Sequence, residues 1–239
     1  MSTAKSAPPK GPAGKLAVRP PAAAADEPPV SRSRIRRERE RQAVRKKILN
    51  AARKQFAKHG YETVTMRKLA ESIDYTTAVL YAHFADKESL IRELVAEDFT
   101  TLAGEFRDCT DLADPWEKLF CAGRAFIRFG LRNPNHYRLM FMSPPSGLLR
   151  TSDFEQVHGD PGKDTYAFIL ECVRDGKAKK LFRPDLDDEE LIVQTMWASF
   201  HGIVSLFVAK GRDPWIDWRD PDLIAETMLD ILLRGMRRA

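Results

Sequence analysis

The chain has 239 residues, 43% of them hydrophobic, enough to bury the core of one large domain or of a small one joined to a larger one. No unbroken apolar run approaches the roughly 18 residues that span a bilayer. The Ala- and Pro-rich beginning also lacks the continuous apolar stretch of a secretory signal, so the expectation is a soluble, cytoplasmic protein that does not enter a membrane. The net charge of +5 is uneven: residues 31–60 hold twelve basic and two acidic residues, residues 1–30 hold four and two, and the remainder carries −7. A basic segment on an otherwise acidic chain is the footprint of a polyanion binder, although a solvated tail or a membrane-surface helix would carry the same charge.

Residues 1–30 are Ala, Pro, Gly and Ser with few large apolar groups, a composition that cannot offset its ordering entropy by burial; a disordered basic tail is expected over 1–37. Val44, Ile48, Ala52 and Phe56 then recur at every fourth position, flanked by Leu49 and Ala51. They predict an amphipathic helix from about Glu40 to His59, ended by Gly60, with Arg41, Arg45, Lys46 and Arg53 on the opposite face. Thr65 is a natural N-cap for a second helix carrying Met66, Leu69, Ala70 and Ile73 on one side. Thr76 caps a short third helix to about Phe84, and Asp86 caps a fourth with Leu90, Ile91, Leu94 and Val95 inward. Helices this close, with only a few residues between the second and third, have the anatomy of a helix-turn-helix.

In that motif the third helix lies in the major groove of DNA with its first residues facing base edges. Thr76, Thr77 and Ala78 are small enough to let the backbone approach, and hydroxyls and methyl groups can contact phosphates, base edges or a thymine methyl. Tyr81 and His83 fall near the far end of the helix, where phosphates pass. Lys87 begins the next helix, where a cation and backbone N–H groups both favour phosphate. As structural alternatives, Thr65 and Thr76 serve as N-caps only, Tyr81 is half core, and Leu80, Phe84 and Ala70 are core alone.

The run ILNAARKQFAKHGYETVTMRKLAESIDYTTAVLYAHFADKESL resembles the DNA-binding domain of TetR-type transcriptional regulators, through Ala51, Phe56, Gly60, Thr65, Leu69-Ala70, Leu80, Tyr81, Phe84, Lys87 and Leu90. The resemblance implies phosphate contacts by Thr65, Tyr81, His83 and Lys87, and base or backbone contacts by Thr76, Thr77 and Ala78. Family members often carry Gly where Asp74 stands, a basic residue at Thr77 and an aliphatic one at Tyr75. Asp tolerates the left-handed conformation such a turn needs, and Tyr75 either packs into the domain or reaches the DNA backbone.

The remainder also reads as helical, with helices near 115–132, 135–141, 163–175, 188–210 and 221–236. Asp-Pro pairs at Asp114, Asp160, Asp213 and Asp220 act as start signals, and a loop runs from Pro144 to about Asp160. The abundant aromatics of this part are a packed core, or a core with a pocket for an apolar or aromatic small molecule; Phe126, Tyr137, Tyr166, Trp197 and His201 are the candidate lining. The stretch MWASFHGIVSLFVAK resembles the WHG type of C-terminal domain in the same family, with Trp197 and His201 one turn apart and Gly202 permitting close approach of another helix. Leu191, Met196, Ile203, Phe207, Leu223, Met228, Leu232 and Leu233 on the last two long helices are candidates for the four-helix homodimer bundle that the resemblance implies, or for closing the monomer core.

The expected fold is therefore all-α: a three-helix helix-turn-helix DNA-binding domain over 38–98, joined to a larger helical effector-binding and dimerisation domain over 99–239. The expected protein is a cytoplasmic, nucleoid-associated, ligand-responsive repressor, a homodimer on palindromic double-stranded operator DNA. A non-specific nucleoid-type binder without effector, or an all-helical enzyme, are the rival readings. The five histidines show no H-E-x-x-H spacing and no glycine-rich phosphate loop exists, so neither catalysis, metal nor cofactor is expected. Cys109, Cys121 and Cys172 lack metal-ligand or C-x-x-C spacing and read as buried, idle thiols.

Overall fold

The computed structural model describes residues 32–142, 157–211 and 213–238. Helix α1 (Arg32–His59) starts two turns before the Glu40 onset read from its hydrophobic stripe. Those turns carry no stripe, but Arg, Glu and Gln are good helix formers and Arg36 pairs with Glu40 one turn on. The disorder expected for 1–37 is thus corrected for Arg32 onward; what precedes lies outside the described residues. The loop expected from Pro144 lies outside them too, except for a turn at its end, residues 157–160.

From Arg41 on the chain packs as one unit. Helices α2 (Met66–Glu71), α3 (Thr77–Tyr81) and α4 (Lys87–Glu105) follow α1, and their inward residues meet Ile48, Leu49, Ala52 and Phe56 in one hydrophobic cluster. Gly60 takes φ +79°, which lets its N–H return to Phe56 O at 2.8 Å and stops α1. Thr65 caps α2 by accepting from Lys68 N, and Asp86 with Ser89 forms a reciprocal capping box on α4. Thr76 occupies the cap position of α3 without a capping bond from its side chain.

A four-residue helix α5 (Arg107–Thr110) leads into α6 (Pro115–Arg132), the centre of the second cluster. Around α6 pack α4, α5, α7 (Pro134–Tyr137), α8 (Thr165–Ala178), α9 (Glu189–Lys210) and α10 (Pro221–Met236). Gly123 makes this possible: a Cβ there would collide with Leu229 of α10 and Phe200 of α9. After α7 the chain makes a π-helical turn, Arg138–Met142. Of the four Asp-Pro signals, Asp114 and Asp220 cap α6 and α10. The other two do not start helices: Asp164 caps α8 instead, and the Asp213 side chain accepts from Trp215 N in a turn. The final helical starts and ends otherwise fall within about three residues of the sequence reading.

One expectation is corrected here. Cys109 and Cys121 are joined in a disulfide between α5 and α6, with Cα atoms 5.6 Å apart; only Cys172 is a free, buried thiol. Spacing alone does not reveal the pair, because it is the turn between α5 and α6 that brings the two together. Helix α9 is long and apolar enough over its 22 residues to cross a membrane by length and composition, but Gln194, Thr195, Ser199, His201 and Ser205 interrupt it, so it is no unbroken apolar run. One side of it, Ile192, Val193, Met196, Phe200, Ile203 and Val204, is buried in the core, while Leu191, Trp197 and Leu206 remain exposed.

Candidate nucleic-acid interface

The tip of α3 stands out from the cluster beneath it. Leu80 is fully buried and anchors the helix, whereas Thr76, Ala78 and Tyr81 are exposed and Thr77 and His83 half-buried. The turn before it survives the loss of glycine as expected: Asp74 takes φ +58°.

Basic side chains brace this tip from three sides. Arg45 of α1 reaches across to α4, with Nε 2.6 Å from Glu93 Oε1 and a second contact from Nη2 to the other carboxylate oxygen. Its Nη1 donates to His83 O at 2.6 Å, and the guanidinium lies over the Phe84 ring at 4.2 Å. Lys47 donates to Ile73 O and sits 4.5 Å above the Tyr75 ring, so Tyr75 packs into the domain. Lys87 donates to Tyr61 O (2.9 Å) and Val64 O (3.2 Å) and covers the Tyr61 ring at 3.9 Å. Two of its three protons are thereby committed to the loop between α1 and α2. The Thr65 hydroxyl is exposed but holds the α2 cap. Burial, then the charges of Arg41 and Arg45, hold the His83 pKa below its usual value, so its ring is neutral at pH 7. Sequence reasoning placed Arg45 and Arg53 on the outer face of α1; Arg53 is instead buried against Asp98 of α4. The signal for both was present as Glu93 and Asp98, but a helix stripe does not say which element covers its far side.

In the larger part, four of the five candidate lining residues, Phe126, Tyr137, Trp197 and His201, meet around Phe141, and Tyr166 joins them through Trp197. Tyr137 is fully buried, 4.9 Å from Phe141, stacked on His201 at 5.6 Å and bonded to its Nδ1 at 2.6 Å. Phe126 flanks Tyr137 and Phe141 from the core. Trp197, 41% exposed, touches Phe141, Tyr166 and His201 from the rim, and Tyr166 donates to Glu190. Burial pushes the Tyr137 phenol up and holds His201 below its usual value, so both are neutral at pH 7. A concavity of about 670 Å³ lies not at this cluster but between α4, α5, α6 and α10, beside Trp116, Phe120 and Arg128. A second, about 480 Å³, is an apolar groove on α9 and α10 around Leu223, Thr227 and Ile231.

A short, small-residue helix held tip-outward by internal cations, on top of a larger helical body with an aromatic interior, defines a helix-turn-helix DNA-binding regulator. Residues 48–94 match the family described as "Bacterial regulatory proteins, tetR family", and residues 119–232 match "Tetracyclin repressor-like, C-terminal domain". The HTH-type transcriptional repressor AcnR of Corynebacterium diphtheriae is 31% identical over 152 residues, covering 57% of this chain and 80% of that one. AcnR of Corynebacterium efficiens is 42% identical over 152 residues, covering 57% and 81%. The solved structure of the ketosteroid transcriptional regulator KstR2 of Mycobacterium tuberculosis superimposes with a TM-score of 0.66 at 22% identity, over 82% of this chain and 95% of that one, and so shares the fold. The chain belongs to the TetR family: it is a sequence-specific, DNA-binding transcriptional regulator.

Proposed function

We propose that the protein is a repressor that binds palindromic operator DNA as a homodimer in the bacterial cytoplasm and is released by a small-molecule effector. The observation that carries the reading is the surface of exposed Thr76, Ala78 and Tyr81 with half-buried Thr77, stiffened from behind by Arg45, Lys47 and Lys87. In this reading Thr76, Thr77 and Ala78 meet base edges, while Tyr81, His83, Lys87 and Thr65 meet phosphates. The segment 38–98 is the DNA-binding domain, 99–239 the effector and dimerisation domain, and the basic side chains of 32–47 add salt-dependent affinity. The relatives named AcnR are repressors, which favours repression here.

The apolar side chains left exposed on α9 and α10 support the homodimer. Leu191 and Leu223 are 57% exposed and Ile231 67%, and the groove that Leu223 and Ile231 line is largely apolar. Of the sequence candidates, Met196, Ile203 and Leu233 instead close the monomer core, while Leu206 and Ile231 were missed. A two-fold pair sets two α3 tips about 34–36 Å apart, one turn of DNA. An effector seated against Trp197, Tyr166 and His201, with Tyr137 and Phe126 behind, shifts that spacing if it binds one dimer state better than the other. The test is a mobility shift with the intergenic DNA flanking the protein's own gene, against excess unrelated duplex. A competitor-resistant complex mapping to a palindrome is expected. Competition by any duplex equally well, on that DNA and on duplexes enriched from a random pool, would overturn specificity.

A further inference from the structure

Among the described residues only two polar or charged side chains are buried, Arg53 and Asp98, and they are bonded to each other. Arg53 gives Nη2 to Asp98 Oδ1 at 2.7 Å and Nε to the same oxygen at 3.1 Å; its Nη1 holds Asn50 of its own helix. The same Asp98 oxygen lies 2.8 Å from His136 Nδ1, close enough for an ion pair though without a well-directed hydrogen bond. One carboxylate on α4 thus ties α1, the helix that braces the DNA-reading tip, to α7.

The segment beyond α6 is suited to receive a push. Asn133 breaks α6 at φ −125°, ψ 59°, α7 lasts four residues, and the next five form a π-helical turn, whose hydrogen bonding is easily re-registered. Its side chains alternate between the two clusters. His136 meets Asp98, and Tyr137 enters the aromatic cluster beside it. Leu139 plugs the DNA-binding core, Met140 the larger one. Phe141 touches Phe99 of α4 at 5.7 Å and Trp197 of α9 at 6.4 Å. Apolar contacts slide; a buried, charge-assisted fork has one geometry and moves as a unit.

We propose that Asp98 is a positioning residue for DNA binding: displacement of Pro134–Met142 by a molecule against the aromatic cluster reaches α1, and through it α3, by way of His136, Asp98 and Arg53. This rests on the effector-controlled regulator proposed above. The test is a double-mutant cycle on the full-length protein. His201→Gln perturbs the cluster from α9, the far side of the cluster from α4; His136→Gln cuts the relay, and Asp98→Asn is a second cut should His136→Gln fail to fold. The probe is a duplex enriched from a random-sequence pool by the wild type, with helical content checked at the assay temperature. We expect His201→Gln to change the duplex dissociation constant at least threefold in the wild type and less than 1.5-fold in either cut background, with the salt slope unchanged. Effects that simply multiply, or folded variants that all bind like the wild type, would overturn the relay. If no duplex is enriched, the DNA-binding reading fails by itself. Amide exchange over residues 42–59 then decides the relay: His201→Gln must alter protection there in the wild type and not in the cut variants, and unchanged protection sinks it.

Discussion

At the residue scale, the cations of α1 were legible by type and not by partner. A helical stripe identifies the buried side of α1, but four of its basic residues appear equivalent until α4 covers Arg53 and Arg45 and leaves Arg41 and Lys46 outside. The buried pair makes a direct prediction. Asp98→Ala leaves buried Arg53 with only half-exposed Glu97, 3.6 Å away, as counter-charge and should cost about 3 kcal/mol in urea unfolding, whereas truncating a surface partner such as Glu71 should cost less than about 1 kcal/mol. Lys87 is a second case: since it also holds Tyr61 O and Val64 O, Lys87→Ala should lower the melting midpoint as well as flatten the salt dependence of DNA binding, while Tyr81→Ala should weaken binding with the midpoint unchanged. Titration gives a third. Burial holds His201, and burial with Arg41 and Arg45 holds His83, below the ordinary histidine value of roughly 6.5. The unfolded chain therefore takes up protons that the fold refuses. This stability is complete above about pH 6.5 and is lost as the pH falls toward the folded values. Thermal midpoints should decline from pH 7 to 5, and less steeply in His201→Gln; an equal decline would assign the acid loss elsewhere.

Among the elements, caps and stripes located the helices well because they are local chemistry: Thr65, Asp86, Asp114 and Asp220 each cap a helix through the side chain the sequence displays. What failed is tertiary. Asp160 and Asp213 carry the same Asp-Pro signal, but Asp160 folds a turn onto Gly162 N and Asp213 onto Trp215 N, and neither is followed by a helix at once. The cysteine pair is likewise invisible to spacing, since twelve residues separate Cys109 from Cys121 and only the α5–α6 turn aligns them. Closing a loop of this length removes denatured-state freedom amounting to at most about 3 kcal/mol. Reducing the protein should therefore lower its unfolding midpoint measurably without changing its helical content. Because such bonds are uncommon in reducing compartments, both forms should be assayed for DNA binding. An identical midpoint with and without reductant would mean that α5 is held by Phe106 and Cys109 packing alone.

For the whole molecule, the proposed homodimer makes operator recognition depend on a two-fold assembly, and the exposed apolar side chains of α9 and α10 are its proposed interface. Helix α9 buries one side and leaves Leu191, Trp197 and Leu206 exposed on the other, the kind of apolar patch that marks an interaction surface. Its outer stripe runs through Leu191, Ala198, Gly202 and Leu206, and nothing in the protomer comes within 4 Å of a Cβ placed on Gly202. On α10 the matching stripe is Leu223, Thr227 and Ile231. A charge at Ile231, 67% exposed in the protomer, touches no core side of α10 and should leave monomer stability within about 0.5 kcal/mol. In a dimer the same charge would meet apolar surface and be desolvated. Ile231→Glu is thus expected to sediment as a folded monomer at concentrations where the wild type is a dimer, and to lose the affinity that comes from reading two half-sites together. A variant that stays dimeric would move the interface off this face, leaving the α9–α10 groove for another partner.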